Sequence, residues 1–216
     1  MRIEPVQAAP RATRPTVSPD FVAHHRRLRL ASVSAEIVCE KGFHATTVGG
    51  IVARARTARN TFYGSFGGKS ECIAWACTEG HRRLFGAALE SRAAAGTWQE
   101  HIGAALAGLL EGAAADPALS ELCLIHSMAL VDREASGRDA GVKVLAQLLD
   151  EGRKAGAELE PPPLTAELIA GGLIAVIATR LRRGEADLLS SLHAEFVEFS
   201  VRPFLGEVVP SEPGQV

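Results

Sequence analysis

No apolar run in this sequence is long enough to cross a bilayer. The longest, Leu168 to Ala178, has 11 residues and includes two glycines, against about 20 for a spanning helix. The opening stretch MRIEPVQAAPRATRPTVSPD has no apolar segment of the kind a secretory signal needs. Neither a membrane protein nor a signal-bearing one is indicated, and a cytoplasmic location is the expectation.

Cysteine is sparse and poorly spaced for metal or redox work. Cys39, Cys72, Cys77 and Cys123 form no CxxC and no Cys/His ligand spacing along the chain, so they read as reduced, buried small side chains. The equipment of an enzyme is missing too. His101, His126 and His193 are scattered, no Glu stands at metal-site spacing from a His, and no nucleophile elbow surrounds a serine. No catalytic residue, cofactor or metal is assigned. Strand-like alternation is absent at any useful length, so the fold class is all-α. With 47% apolar residues in a chain of 216, a real hydrophobic core is available.

Charge is unevenly distributed. The net charge of −2 divides into +7 over residues 1–83 and −9 over residues 84–216. A basic first part and an acidic remainder fit a polyanion-binding head on a body that repels DNA.

The basic part contains Thr46 to Lys69, TTVGGIVARARTARNTFYGSFGGK, which reads as two short helices joined by a tight turn. The first carries Val48, Ile51 and Val52, with Thr46 or Thr47 as its N-cap. The exposed N–H groups at that end also favour a phosphate. The second, from about Ala58 to Tyr63, holds Arg59 and Asn60, which pair well with guanine and adenine edges. Phe62 is expected to pack inward against Phe43 and Ile51. This is a helix-turn-helix with its polar and cationic residues on the reading helix.

Lys41-Gly42-Phe43, Ala45-Thr46-Thr47-Val48, Ile51, Ala53, Ala55, Arg59, Thr61-Phe62-Tyr63, Phe66 and Lys69 resemble, in order and spacing, the DNA-binding end of the TetR family of bacterial transcriptional regulators. The likeness covers roughly Leu28 to Ala76. It implies a three-helix head, a helical effector-binding body, and a repressor released from a palindromic operator by a small molecule. It also implies phosphate contacts from Thr61, Tyr63 and Lys69. The DNA-binding set is therefore Thr46, Thr47, Arg56, Thr57, Arg59, Asn60, Thr61, Tyr63 and Lys69. The sequence departs from the family in the turn, where Ala55-Arg56-Thr57-Ala58 replaces Ala-Gly-Val-Ser. Arg56 thus stands where a glycine suits a positive φ, and Thr57 is left to cap the third helix. Gly49-Gly50 costs the second helix roughly 1 kcal/mol per glycine.

The other segments follow in order. Residues 1–22 form an expected tail, with prolines at 5, 10, 15 and 19. The head spans 23–68, the body 69–206, and a second tail 207–216. Helix 1 is expected from Phe21 or Val22 to Glu40, stopped by Gly42. Later helices are expected over Lys69–Ala95, Trp98–Ala115 with Thr97 as cap, from Pro117 to about Leu130, Gly137–Ala155, Thr165–Arg183 and Glu185–Leu205. Trp75, Phe85, Cys123, His126 and Met128 are the candidate effector-lining residues. The whole chain has a single tyrosine, Tyr63 in the head, and the few polar candidates in the body point to an apolar effector. The helix from Thr165 is apolar nearly all round and carries small residues, so it should be buried. In the resembling family the last helix pair meets its twin, which makes Leu168, Gly172, Ala175, Leu188, Leu192, Phe196 and Phe199 the dimer set. Two heads are also what a two-fold operator requires. The alternative reading is a ligand- or protein-binding module with a weakened head.

Overall fold

The computed structural model describes residues 18–92, 96–127, 137–154 and 161–205, and every regular element among them is helical. The greater part of both expected tails, and Met128, lie outside the described residues.

The head comprises α1 (Pro19–Lys41), α2 (Val48–Arg54) and α3 (Arg59–Tyr63). α1 begins earlier than expected, because Pro19 takes the first helical position, where its missing N–H costs nothing. It ends at Gly42, whose φ of 80° suits glycine, and the Gly42 N–H donates to Val38 O at 2.8 Å. Leu30 and Ile37 of α1 pack with Ile51, Val52, Phe62, Phe66 and Cys72. Phe62 meets Ile51 as expected, but its aromatic partner is Phe66, with ring centroids 5.9 Å apart. Phe43 packs in a neighbouring cluster instead.

That neighbouring cluster joins head to body. Ala31, Ala35 and Val38 of α1 pack against Ile73, Ala76 and Cys77 of α4 (Lys69–Arg92) and against Leu119 and Leu122. α5 (Trp98–Ala115) follows, opened by Thr97 in a capping box. The Thr97 N–H donates to Glu100 Oε2 at 2.7 Å, and the Thr97 hydroxyl accepts from the Glu100 N–H at 3.3 Å. α6 (Pro117–Glu121) is capped by Asp116, which also accepts from the Ser32 hydroxyl of α1 at 2.8 Å.

The helix expected to continue from α6 changes character. Leu122–His126 is one π-helical turn. The change lies where α4 comes closest: a Cβ added to Gly80 would stand 2.8 Å from the Leu119 carbonyl and 3.3 Å from Cys123 Cβ.

α7 (Gly137–Lys154), α8 (Thr165–Arg182) and α9 (His193–Val201) complete the body around a core that includes Leu84, Phe85, Leu109, Leu149, Ile174 and Phe204. Two α7 glycines seat aromatic rings from other helices. The Phe85 ring lies against Gly141 and the Trp98 indole against Gly152, both so close that any Cβ would overlap the ring. Trp98 Nε1 donates to Leu148 O at 3.1 Å. The last expected helix is split. Ala186–Leu192 is 3-10 helical before α9 begins, and the Ser191 hydroxyl donates back three residues to Leu188 O at 2.6 Å, the competition that disfavours serine inside α-helices. Among the described residues no single helix is long and apolar enough to cross a membrane.

Candidate nucleic-acid interface

The interface is built from the start of α2, the turn after it, and α3. Thr47 caps α2 by accepting from the Gly50 N–H at 3.1 Å, and its side chain is exposed. Thr46 is a correction. It is fully buried and its hydroxyl donates to Gly42 O at 2.9 Å, so it closes the loop after α1 and offers nothing at the surface.

The turn is a Schellman closure with an arginine in the glycine position. The Arg56 N–H donates to Ala53 O at 3.2 Å and the Thr57 N–H to Val52 O at 3.0 Å, while Arg56 adopts φ 49°. These two bonds satisfy carbonyls at the end of α2. A left-handed backbone at a residue with a Cβ costs about 1–2 kcal/mol. Arg29 of α1 offsets part of this by donating from its guanidinium to the Ala55 carbonyl. The expected capping by Thr57 is also corrected: Ala58 is the N-cap and supplies no side-chain bond. Thr57 stands one position too early because its own N–H closes the preceding helix.

On α3, Phe62 is buried while Arg59, Asn60 and Tyr63 are exposed, Tyr63 by 55%. The Tyr63 ring stands edge-on to Phe62 at 5.5 Å, which holds the phenol out from the head. Arg59 leans back over α2, where a Cβ on Gly49 would lie 3.4 Å from its Nη2. Arg56 is exposed beside them. Thr57 and Thr61 are half-buried and line, with His25, Arg26 and Arg29, a cleft of about 290 Å³ between α1 and α3.

Two further cations, Arg54 of α2 and Lys69 at the start of α4, are engaged within the protein. Arg54 makes a bidentate pair with Glu40 at 2.6 and 2.7 Å, holding that carboxyl below the usual carboxylate range, and lies 3.8 Å from Glu36. Lys69, expected at a phosphate, instead turns inward. Its ammonium donates to Phe43 O at 3.1 Å, His44 O at 3.3 Å and Thr46 O at 2.9 Å, and sits 4.6 Å from the Phe43 ring centroid. All three ammonium hydrogens have protein acceptors, so Lys69 ties the loop after α1 to the start of α4.

Residues 31–74 match the model of the bacterial regulatory proteins of the tetR family. The head is a TetR-family DNA-binding domain. Solved structures extend the likeness to the whole architecture. A regulatory protein of the tetR family from Rhodococcus RHA1 aligns with a TM-score of 0.68 at 18% identity, over 83% of this chain and 96% of its own. The fatty acid degradation regulator FadR from Bacillus halodurans gives 0.68 at 20% identity, over 85% and 96%. FadR from Bacillus subtilis, solved with stearoyl-CoA, gives 0.64 at 20% identity, over 80% and 96%. At such identities the likeness establishes the fold, which is that of TetR-type transcriptional regulators. No curated protein matches the chain.

Below the TetR-type head, the candidate effector residues do not gather in one place. Phe85 and Cys123 lie in the body core. Trp75 is corrected: it packs with the head clusters, its ring 5.9 Å from Phe66 and 6.0 Å from His24. His126 is half-buried next to Glu121, 3.7 Å away. Burial pushes the thiols up, Cys123 and Cys39 to about 12 and Cys72 and Cys77 to about 11, so all four stay protonated at neutral pH and are poor nucleophiles.

The expectation that α8 is buried all round is half corrected within the TetR-type body. Ile169, Leu173, Ile174 and Ile177 face the core, whereas Leu168 is 72% exposed and Val176 is exposed beside it. Gly172 is exposed with open space above it. Leu188 is exposed, and Phe199 is exposed by 63%. Ala175 and Leu192 are half-buried at the edge. Phe196, expected on this face, is buried in the protomer's own core.

Proposed function

We propose that this chain is a ligand-released repressor that binds a two-fold operator as a homodimer. The observation that carries the reading is the division of α3: Phe62 is buried in the head while Arg59, Asn60 and Tyr63 are exposed. Arg59 and Asn60 read base edges in the major groove. Thr47, Arg56 and Tyr63, with Thr57 and Thr61 at the cleft edge, contact phosphates and set the register.

The second protomer docks on the apolar surface of Leu168, Gly172, Leu188 and Phe199, flanked by Ala175 and Leu192. Such a surface is costly to leave in water, and pairing it supplies two heads for two half-sites. The effector is an apolar small molecule that enters the body next to Phe85 and Cys123 and favours a conformation whose head spacing no longer fits the operator. FadR from Bacillus subtilis was solved with stearoyl-CoA, apolar along its acyl chain although charged at its CoA end, so ligands that present a long acyl chain are the first class to screen.

A gel shift against the DNA upstream of the gene, at two salt concentrations, tests the reading. A specific, salt-sensitive complex is expected, with Arg59→Ala and Asn60→Ala each costing about 1–3 kcal/mol of affinity for the operator. Equal affinity for operator and random DNA, indifferent to both substitutions, would falsify it.

A further inference from the structure

Cys39, Glu121 and His126 are far apart in the sequence, yet their ligand atoms lie within 4.8 Å of one another. Cys39 stands in the last turn of α1, in the head. Glu121 ends α6 and His126 ends the π turn, in the body. In an ordinary α-helix, residues five apart point about 140° away from each other. A π turn, bonded from each residue to the fifth after it, brings them to one side. His126 Nε2 and Glu121 Oε1 are accordingly 3.7 Å apart, and the side they share is the one that meets Cys39.

We propose that these three side chains form a binding site for a borderline-soft divalent cation, zinc in the first instance, that links the head to the body. Sulfur, imidazole and carboxylate are the donors zinc takes, and tetrahedral zinc with bonds of roughly 2.0–2.3 Å places its donors about 3.5 Å apart. The Glu121–His126 separation of 3.7 Å is already close to that value. Cys39 Sγ lies within 4.8 Å of the other two ligand atoms, and its hydrogen bond to Ala118 O is a long one, at 3.7 Å, so little holds the thiol away from them. A thiolate ligand also favours zinc over the oxygen-seeking magnesium and calcium. The site is reachable, because the side chains of Glu121 and His126 are 18% and 31% exposed. Three protein ligands leave a fourth position for water.

Bound there, the cation cross-links α1 to the π turn, about two helical turns further along α1 than the Ser32–Asp116 hydrogen bond, and fixes where the head sits on the body. Its effect on operator affinity rests on the repressor reading; its binding does not.

The test uses the full chain, reduced and stripped with a chelator. Stoichiometric zinc uptake is expected by calorimetry. Cobalt substitution should give the intense thiolate-to-cobalt absorption that distinguishes this site from adventitious surface histidines such as His24 and His25. Cys39→Ser should abolish that band, and His126→Gln should weaken zinc binding by about tenfold or more, both with unchanged helical circular dichroism. Glu121→Gln, which keeps size and removes charge, should weaken it to a lesser degree. Absence of the thiolate band in wild type, or affinities indifferent to Cys39→Ser and His126→Gln, overturns the site. Gel shifts with and without zinc separate the two ideas. Zinc bound with no DNA complex at any zinc level sinks the repressor reading and keeps the site, while an operator complex in a chain that takes up no zinc does the reverse.

Discussion

The guanidinium of Arg29 in α1 donates to the carbonyl of Ala55, the residue that caps the C-terminus of α2. The bond pins the helix-turn-helix to the long helix behind it, and it does so one residue before Arg56, the residue with the unfavourable backbone. The head therefore keeps a strained turn with a tether beside it, and the strain buys a cation: an arginine stands at the edge of the reading surface where the family has glycine.

Arg56→Gly separates the two consequences. The substitution should stabilise the isolated protein by about 1 kcal/mol, as relief of a left-handed residue predicts, measured by urea denaturation. It should also lower operator affinity and reduce the salt dependence of binding by about one unit of slope, as loss of one phosphate contact predicts. An unchanged slope would remove Arg56 from the interface.

Lys69→Met should behave in the opposite way. It removes an ammonium with three carbonyl acceptors and leaves those carbonyls short of a donor, at a cost of about 1.5–3 kcal/mol for charged hydrogen bonds. The salt slope of DNA binding should stay as in wild type. A lower slope at unchanged stability would restore Lys69 as a phosphate ligand.

Glu79 should give the protein an acid-sensitive contribution to stability through α4. It is buried and accepts from Arg82 at 2.9 and 2.7 Å and from Arg83 at 2.8 Å, bonds that hold its carboxyl down at about 2. A carboxyl depressed by folding contributes stability that is present above its unfolded value, near 4.5, and lost as pH falls toward 2. Glu79→Gln should destabilise by about 1–2 kcal/mol at pH 7, and thermal melts of the two proteins should converge between pH 4.5 and 2. A constant gap across that range would refute the linkage.

Phe199→Glu and Leu168→Glu place charges on the open α8–α9 face without touching the core. Light scattering should find dimers for wild type and monomers for both variants, with cooperative melting retained. A monomeric wild type would remove the proposed interface.

What the sequence made legible follows from how locally each feature is encoded. The helix-turn-helix, the Thr97 cap and the Gly42 stop each depend on residues within a few positions, and all three stand where the sequence puts them. Lys69 was read as a surface cation because nothing near it announces the loop that folds back to receive it. Thr46 and Thr47 look alike in sequence, and only the path of the chain out of α1 decides which one is buried. Phe196 and Phe199 lie three residues apart in α9, yet one is buried and the other 63% exposed. The edge of the core falls between them, and the 3-10 segment before α9 shifts where that edge falls relative to an unbroken helix. The π turn carries no sequence signal at all, so the meeting of Glu121, His126 and Cys39 was out of reach.

The rings of Phe85 and Trp98 set against Gly141 and Gly152 act as two detents on α7. A helix held at two notches along its length resists sliding along its axis, since each ring would first have to climb a neighbouring side chain. Phe85 belongs to α4, whose other end carries Lys69 and Ile73 at the base of the head. A molecule that lifted the Phe85 ring from its notch would leave α7 held by Trp98 alone and load α4 in the same motion, so that a small displacement in the body would reach the helix packed against α1.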